Sequence, residues 1–406
     1  ILSHIKHRYS FVYFFSFSIS LYCKIRQLPC LFLCSDIVMA FAPVSPFTLT
    51  GLNKFLSLTY HQMINWAIYT FAELNLADKL IRASPDRGYT VEEIIGEDRK
   101  QWNSQLIYRI LRACVYAGIV ELVNDDKHFV LTESGIMMTS DHPSHVRDNI
   151  LYTFGKIYIG ANQQLPSIAR GEGTGTGVAR AFGGLDLYAL LSQPDYKDFA
   201  SRFNGCMTSF SMQTSVRLVK SIDFNRFKTM ADIGGNRGTF LAEIFQNFPQ
   251  IEHGIVFDLP HIINSYSNGE EFKSRGIDND RWSYVSGDMF DALTVPLADA
   301  YVFKYILHNY DDEKCLQILS SLRQTNKTKQ NLPITIFIVE HIILPDGAIS
   351  NWQTHGFDIV MAAVFDNARE RTEDEYKQLL NKTGFQFQKL YPIQAPESVI
   401  EAICIE

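Results

Sequence analysis

Apolar residues recur along this chain with two different periods, and the change of period divides it. From about residue 52 to 142 the spacing is helical. Trp66, Ile68, Ala72, Leu74, Ala77 and Leu80 form a broken helical stripe. Leu106, Ile107, Ile110, Leu111, Cys114 and Val115 make a clean apolar helix face. Thr90-Val-Glu-Glu93 is a capping-box signature ahead of Ile94 and Ile95. Gly118 then stops the second helix. Ile119 to Val123, a turn at Asn124-Asp-Asp-Lys127 and Phe129 to Leu131 predict a hairpin. Helices closing on a small hairpin suggest a winged-helix module.

Residues 143–228 are mostly helical, with a low-complexity insert, Gly171-Glu-Gly-Thr-Gly-Thr-Gly177. Its glycines have no flanking strand and helix, so it is expected to be a flexible loop rather than a phosphate cradle. From 229 onward short apolar runs alternate with helical patterns. Strands are predicted at 229–233, 254–258, 282–286, 300–304, 334–340, 385–390 and 398–404, with helices such as Glu313 to Leu322 and Glu373 to Leu380 between them. That alternation predicts an α/β fold with a mostly parallel sheet covered on both faces.

The chemistry gathers at the ends of these strands. Thr229-Met-Ala-Asp-Ile-Gly-Gly-Asn-Arg-Gly-Thr-Phe240 runs from a short apolar strand through Gly234, Gly235 and Gly238 into an apolar helix. Glycines let backbone approach a ligand, and a helix start offers unpaired N–H groups. The next strand ends in Asp258, an acid placed to hold ribose hydroxyls. Two further strand ends carry Ser286-Gly-Asp-Met-Phe290 and Val302-Phe-Lys-Tyr-Ile-Leu-His308. Open α/β sheets bind ligands outside the carboxyl ends of their strands. A dinucleotide fingerprint would need GxGxxG, and the spacing here is GGxxG.

In this order the motifs resemble the small-molecule O-methyltransferases that use S-adenosylmethionine, the group containing plant caffeate-type enzymes and animal acetylserotonin O-methyltransferase. Asp232-Ile-Gly-Gly-Asn-Arg-Gly238, Asp258-Leu-Pro-His261, Gly287-Asp-Met-Phe290, Lys304-Tyr-Ile-Leu-His-Asn-Tyr-Asp-Asp312 and Glu370-Arg-Thr-Glu-Asp-Glu375 carry the likeness, which covers residues 50 to 406. It implies a Rossmann-like methyltransferase sheet at 229–406 and a winged-helix dimerisation domain at 39–145. Residues 146–228 would be a helical linker lining the substrate.

The resemblance also implies roles. S-adenosylmethionine would be held by Asp232, Gly234, Gly235, Asp258, Asp288, Met289 and Lys304. His308 would be the general base, bracketed by Glu340 and Glu370. Phe199, Phe203, Met207 and Met361 would line the acceptor, a small aromatic hydroxyl compound such as a phenol or hydroxyindole. Phe365 falls where caffeate-type enzymes carry a polar residue. Two departures stand out: Asn236 replaces a usual glycine, and Asn309 follows the histidine where many relatives have Asp. Asn tolerates positive φ, so the loop is expected to survive. A homodimer through the N-terminal domain is expected as well.

Composition narrows the alternatives. The chain has 406 residues, 46% hydrophobic and 20% charged, with net charge −7. Residues 1–38 carry a local +3, which leaves −10 for the remainder. An acidic body argues against nucleic acid, and helix 104–117 offers a DNA backbone only Arg109 and Arg112. A DNA-binding regulator and a degenerate methyltransferase scaffold are the rival readings. Seven scattered cysteines show neither a disulfide framework nor metal-ligand spacing, so no metal and a reducing, cytoplasmic setting are expected. Within the first 38 residues, 9–22 form an apolar run behind Lys6 and Arg8, and the first methionine is Met39. They read either as a signal peptide or short anchor, or as translated upstream sequence with Met39 as the start. The absent initiator and the lack of disulfide patterning favour the second. No other segment is apolar enough to span a bilayer.

Overall fold

The computed structural model describes residues 49–329, 333–344, 352–393 and 396–404; the leader and Met39 fall outside them. The chain divides into two compact units, residues 1–63 and 64–406. Of the first, residues 49–63 are described, within helix Gly51–Glu73.

In the second unit, Thr90 caps its helix with the reciprocal Glu93 bonds of a capping box. Helix α1, Ser104–Tyr116, buries Ile107, Ile110, Leu111 and Cys114 and leaves Arg109 and Arg112 exposed. Gly118 follows it at φ +70°. Strands β1, Val120–Val123, and β2, His128–Leu131, then pair antiparallel. The expected turn between them is a single helical turn, Asn124–Lys127. Asn124 enters it at φ +48°, and its Nδ2 donates to the carbonyls of Asp86 at 2.7 Å and Arg87 at 3.1 Å. A side chain that hydrogen-bonds outside the hairpin, rather than across it, sets that geometry.

A run of helices follows, including α2, Val146–Thr153, and α3, Lys197–Leu218. The glycine-rich insert between them is exposed through Gly175, with Gly171, Gly173 and Gly175 all at positive φ. Gly177 differs: a Cβ there would lie 2.4 Å from the Ala161 carbonyl, so it serves close packing.

The sheet has the order β5-β4-β3-β6-β7-β10-β9. Its strands are β3 Thr229–Ile233, β4 His253–Asp258, β5 Trp282–Ser286, β6 Ala300–Lys304, β7 Thr335–Ile343, β9 Phe385–Pro392 and β10 Glu397–Cys404. The two-residue β8, Arg371–Thr372, extends β7. Strands β3 to β7 pair parallel, and β10 runs antiparallel to both β7 and β9. Both faces are covered, and the pleat assigns residues to them alternately. Met230, Val302, Phe337 and Val339 pack with Leu241, Ile244 and Phe245 of helix α4, Thr239–Asn247. Ala231, Tyr301, Phe303, Ile336 and Ile338 pack with Ile318, Leu319 and Leu322 of helix α5, Asp312–Lys329, and with Leu379 and Leu380 of helix α7, Glu373–Lys382. Strand order reverses between β3 and β6, so the crevice of an open α/β sheet opens above those two strands.

Candidate active site

Two adjoining cavities lie at the carboxyl ends of β3, β4 and β6. The larger, about 370 Å³, is lined by Asp232, Gly234, Gly235, Asn236, Asp258, Met289 and Lys304 together with residues of α3. The smaller, about 90 Å³, is lined by Phe203 and Met207 of α3, Tyr152 of α2, His308, and Phe357 and Met361 of helix α6, Trp352–Val364. Tyr188, Phe203, Met207, Tyr305 and Asn309 line both.

The glycine turn shapes the larger cavity. The Gly234 N–H donates to the Phe257 carbonyl at 2.8 Å, which ties the turn to β4. Gly234 stands at φ +73°, and a Cβ there would lie 2.3 Å from Cδ1 of Ile306. Asn236 takes φ +49°, the left-handed conformation expected of it, and its N–H donates to Oδ2 of Asp258 at 2.9 Å. The Leu259 N–H donates to Oδ1 of the same carboxylate at 2.7 Å. Each Asp258 oxygen retains lone-pair capacity for a ligand hydroxyl. Burial pushes its pKa up, against the pull of those two N–H groups.

Burial also lifts Asp232 to about 7 and lowers Lys304 to about 8. A cavity holding glycine backbone, paired acids and an amine suits an adenosyl group, with Asp258 toward the ribose. Asp288 does not line the cavity. It is exposed, and its Oδ1 accepts from the Phe290 N–H at 3.0 Å, so it shapes the turn that presents Met289.

At the smaller cavity His308 is 3% exposed. Its Nδ1 lies 2.8 Å from Oε1 of Glu370 and 3.3 Å from Oε2 of Glu340. Nδ1 faces two carboxyl groups, an arrangement that favours the tautomer protonated at Nδ1 and leaves the Nε2 lone pair free. Glu340 lies on the Ile336–Ile338 face of β7. Its Oε1 accepts from the N–H groups of Ile306 and Leu307 at 3.0 Å and of His308 at 3.4 Å. The Glu370 N–H is taken by Oδ1 of Asp358 at 2.9 Å.

Burial raises Glu340 to about 7 and Glu370 to about 9. Two acids this close share a proton near neutrality and leave one negative charge beside the imidazole. Burial lowers the His308 pKa, opposed by the Glu340 charge. The donor atoms of the three groups lie within 4.8 Å of one another. Nδ1 and Oε1 of Glu370 are hydrogen-bonded at 2.8 Å.

Of the four residues expected against an acceptor, Phe203, Met207 and Met361 line the smaller cavity. Phe199 lies one helical turn further away and packs behind it on Tyr152, with ring centroids 5.3 Å apart. Phe365 lines the cavity as well. Other contributors carried no sequence signal: Tyr152, Tyr158, Phe210 and Phe357 come from separated helices. Arg371 was also missed. Fully buried, it donates to the carbonyls of Leu307 at 3.0 Å and Tyr310 at 2.8 Å and pairs with Asp312 at 2.8 Å, holding the turn that carries His308. Its position beside Glu370 was its only hint.

The four free cysteines described, Cys114, Cys206, Cys315 and Cys404, are buried. Among the described residues no helix is long and apolar enough to cross a membrane.

Comparison with known proteins agrees with this geometry. The O-methyltransferase domain family matches residues 170–386, more than half of the chain. O-methyltransferase 7 of Dictyostelium discoideum is 28% identical, over 90% of this chain and 94% of its own. Phenazine O-methyltransferase PhzM of Lysobacter antibioticus is 27% identical, over 84% and 92% respectively. Among solved structures, LaPhzM has a TM-score of 0.73 at 25% identity, covering 86% of this chain and 98% of its own. Human N-acetylserotonin methyltransferase, solved with S-adenosylmethionine, shares the fold with a TM-score of 0.71 at 20% identity, covering 87% and 98%. This chain belongs to the S-adenosylmethionine-dependent O-methyltransferase family.

Proposed function

We infer that the chain methylates a hydroxyl of a small, uncharged aromatic acceptor, a phenol or hydroxyindole, with His308 as general base. One observation carries the reading. The His308 imidazole lines the smaller cavity while Nδ1 is held by two acids, so Nε2 is the nitrogen left to face an acceptor.

Bound S-adenosylmethionine supplies an activated methyl group on a sulfonium. The protein's part is therefore alignment and proton removal. Gly234, Gly235, Asp258, Met289 and Lys304 would hold the cofactor, with Asp232 behind the turn and Asp288 shaping the loop of Met289. Phe203, Met207 and Met361 would sandwich the acceptor ring. Nε2 would take the hydroxyl proton, and the charge shared by Glu340 and Glu370 would stabilise the imidazolium that forms, as the acid of a triad does. A phenol titrates near 10 and an imidazole near 6.5, so the proton must leave as the oxygen–carbon bond forms.

The smaller cavity has aromatic and apolar walls, no Lys or Arg among the described residues lines it, and two acids stand behind His308. A carboxylate there would meet no cation. Tyr152 and Tyr158 are held protonated by burial, the latter raised to about 12, and they offer neutral hydroxyls. The test is turnover of paired phenols, with and without a carboxylate, using labelled methyl donor.

The N-terminal domain, 39–145, is read as a winged-helix dimerisation module and 146–228 as the substrate-lining linker. The antiparallel bridge between Tyr89 and Phe129, which adds a one-residue third strand to the β1–β2 hairpin, supports the winged-helix reading. Leu52, Phe55, Tyr60 and Met63 are exposed on helix Gly51–Glu73, which supports a homodimer. Light scattering at micromolar concentration tests it, and a monomer would contradict it. Action in the cytoplasm completes the reading, supported by the four described cysteines, which are buried and unpaired with one another.

A further inference from the structure

Immediately after β6 the backbone passes through Tyr305 at φ +56°. For a bulky aromatic this is a strained conformation, and it persists only where the surroundings hold it. Here they do. The hydroxyl donates to Oε1 of Glu397 at the start of β10, and the same oxygen accepts from Oγ1 of Thr214 on α3 at 2.8 Å. Tyr305 and Glu397 are both buried. The Tyr305 ring is nearly parallel to the His308 imidazole, with centroids 5.4 Å apart and planes at 11°. Phe357 and His341 stack with it at 5.8 Å and 5.7 Å.

The backbone consequence is local. The Tyr305 N–H still continues the ladder, donating to the Val339 carbonyl at 3.2 Å. The next three N–H groups swing onto Oε1 of Glu340. The strained residue is thus the point where strand geometry gives way to the turn that presents His308.

We propose that Tyr305, tethered through its hydroxyl to Glu397, is the positioning residue that fixes the plane of the His308 imidazole. This rests on reading His308 as the base. Glu340 and Glu370 grip the ring at its Nδ1 edge, and an edge contact alone leaves the ring able to tilt. The parallel face of Tyr305 removes that freedom. Thr214 ties the same carboxylate to α3, so the base and the Phe203–Met207 wall share one anchor.

Plain packing does not account for the arrangement. A buried carboxylate is costly, and Oε2 of Glu397 has no hydrogen-bond partner. An apolar pair of the same volume would fill the space at lower cost.

The test uses the full chain, labelled with ¹⁵N-histidine, and follows the imidazole nitrogens by long-range NMR, with the His308 signal assigned by H308Q. The charged and titratable groups facing the ring are Lys304 and Tyr305 at the end of β6, Glu340 and His341 on β7, and Glu370 and Arg371 by β8. Wild type should hold one neutral tautomer, protonated at Nδ1, and titrate below 6.5. In Y305F and E397L the tautomers should mix and the titration should move toward 6.5 as water reaches the ring.

With a turned-over acceptor, kcat should fall on the order of 10- to 100-fold, the cost of a misplacement approaching 1 Å. KM for S-adenosylmethionine should stay within about twofold, since these substitutions leave the Tyr305 ring on the wall it shares with the cofactor cavity. E397Q keeps the acceptor oxygen and should restore the wild-type tautomer. T214V, which removes the second bond to Glu397 along with a hydroxyl contact to the Phe210 carbonyl one turn back on the same helix, should move tautomer and titration in the same direction by less, and it serves if Y305F does not fold.

Folded variants whose His308 keeps the wild-type tautomer and titration overturn the proposal. The NMR arm needs no acceptor, so absence of turnover in wild type would count against the methyltransferase reading alone.

Discussion

The two cavities are neighbours built on opposite plans. The larger is a property of the sheet: its glycine turn, acids and lysine sit at consecutive strand ends, and each is fixed by backbone hydrogen bonds. The smaller belongs to helices, with walls of aromatic and sulfur side chains contributed by α2, α3 and α6 from positions about 200 residues apart. The first plan restricts residue type at each position; Gly234 sits at φ +73° with a Cβ there pressing on Ile306, and Asp258 must accept two N–H groups. The second restricts only volume and polarity. Cofactor use should therefore be robust and specific, and acceptor choice adjustable by single side chains. His308 stands between them.

The largest effect should come from removing the base. H308A should lower kcat on the order of 10²–10⁴-fold, while calorimetry with S-adenosylhomocysteine finds affinity within about threefold, because the cofactor cavity is intact. A mutant retaining most of its rate would take His308 out of the mechanism. Next comes D258A, which opens two backbone N–H groups and removes the ribose partner. Cofactor affinity should weaken about 10- to 100-fold, tenfold for each 1.4 kcal/mol lost, and an unchanged Kd would remove Asp258 from the cofactor site.

E370Q keeps the shape but replaces the carboxyl that meets Nδ1 at 2.8 Å, and kcat should fall about tenfold, for one weakened hydrogen bond to the base. A wild-type rate would mean Glu340 alone suffices. Adding a carboxylate to a good phenol should reduce kcat/KM by at least about tenfold, as expected for an unpaired charge in an apolar site. Equal turnover would show that the acceptor site draws on a cation.

The smallest effect is on pH dependence. Burial lowers the His308 pKa, so the neutral base survives to lower pH than a free imidazole. The acid limb of kcat/KM should lie below 6.5, with activity lost as pH falls through it. An acid limb above 6.5 would mean that the Glu340 charge outweighs desolvation. Separately, EDTA should leave the rate unchanged, since an activated methyl group and a general base need no metal; a large loss would point to an ion at His308, Glu340 and Glu370.

This division also explains what could be read from the sequence. The strand ends were legible because their roles demand particular residues, and the predicted strands end within one to three residues of those observed. The left-handed conformation at Asn236 was anticipated from its chemistry. Asp288 was legible as a motif but not in its detail, since its carboxylate caps its own turn.

The helical cavity was only partly readable. A four-residue period placed Phe199, Phe203 and Met207 on one face, but periodicity cannot say where along α3 the cavity ends, and Phe199 falls beyond it. Tyr152, Phe210 and Phe357 are apolar residues among many others. Tyr305 and Glu397 meet across 92 positions and Arg371 reaches back 64 to Leu307, contacts that no local pattern encodes. The hairpin turn at Asn124 differed because its side chain bonds to another loop.

The most direct measurement is a crystal structure with S-adenosylhomocysteine and a turned-over phenol. The account predicts the adenosyl group between Gly234 and Asp258, and the phenol oxygen hydrogen-bonded to Nε2 of His308 between the rings of Phe203 and Phe357. A product cofactor bound elsewhere, or a phenol whose oxygen points away from His308, would contradict it.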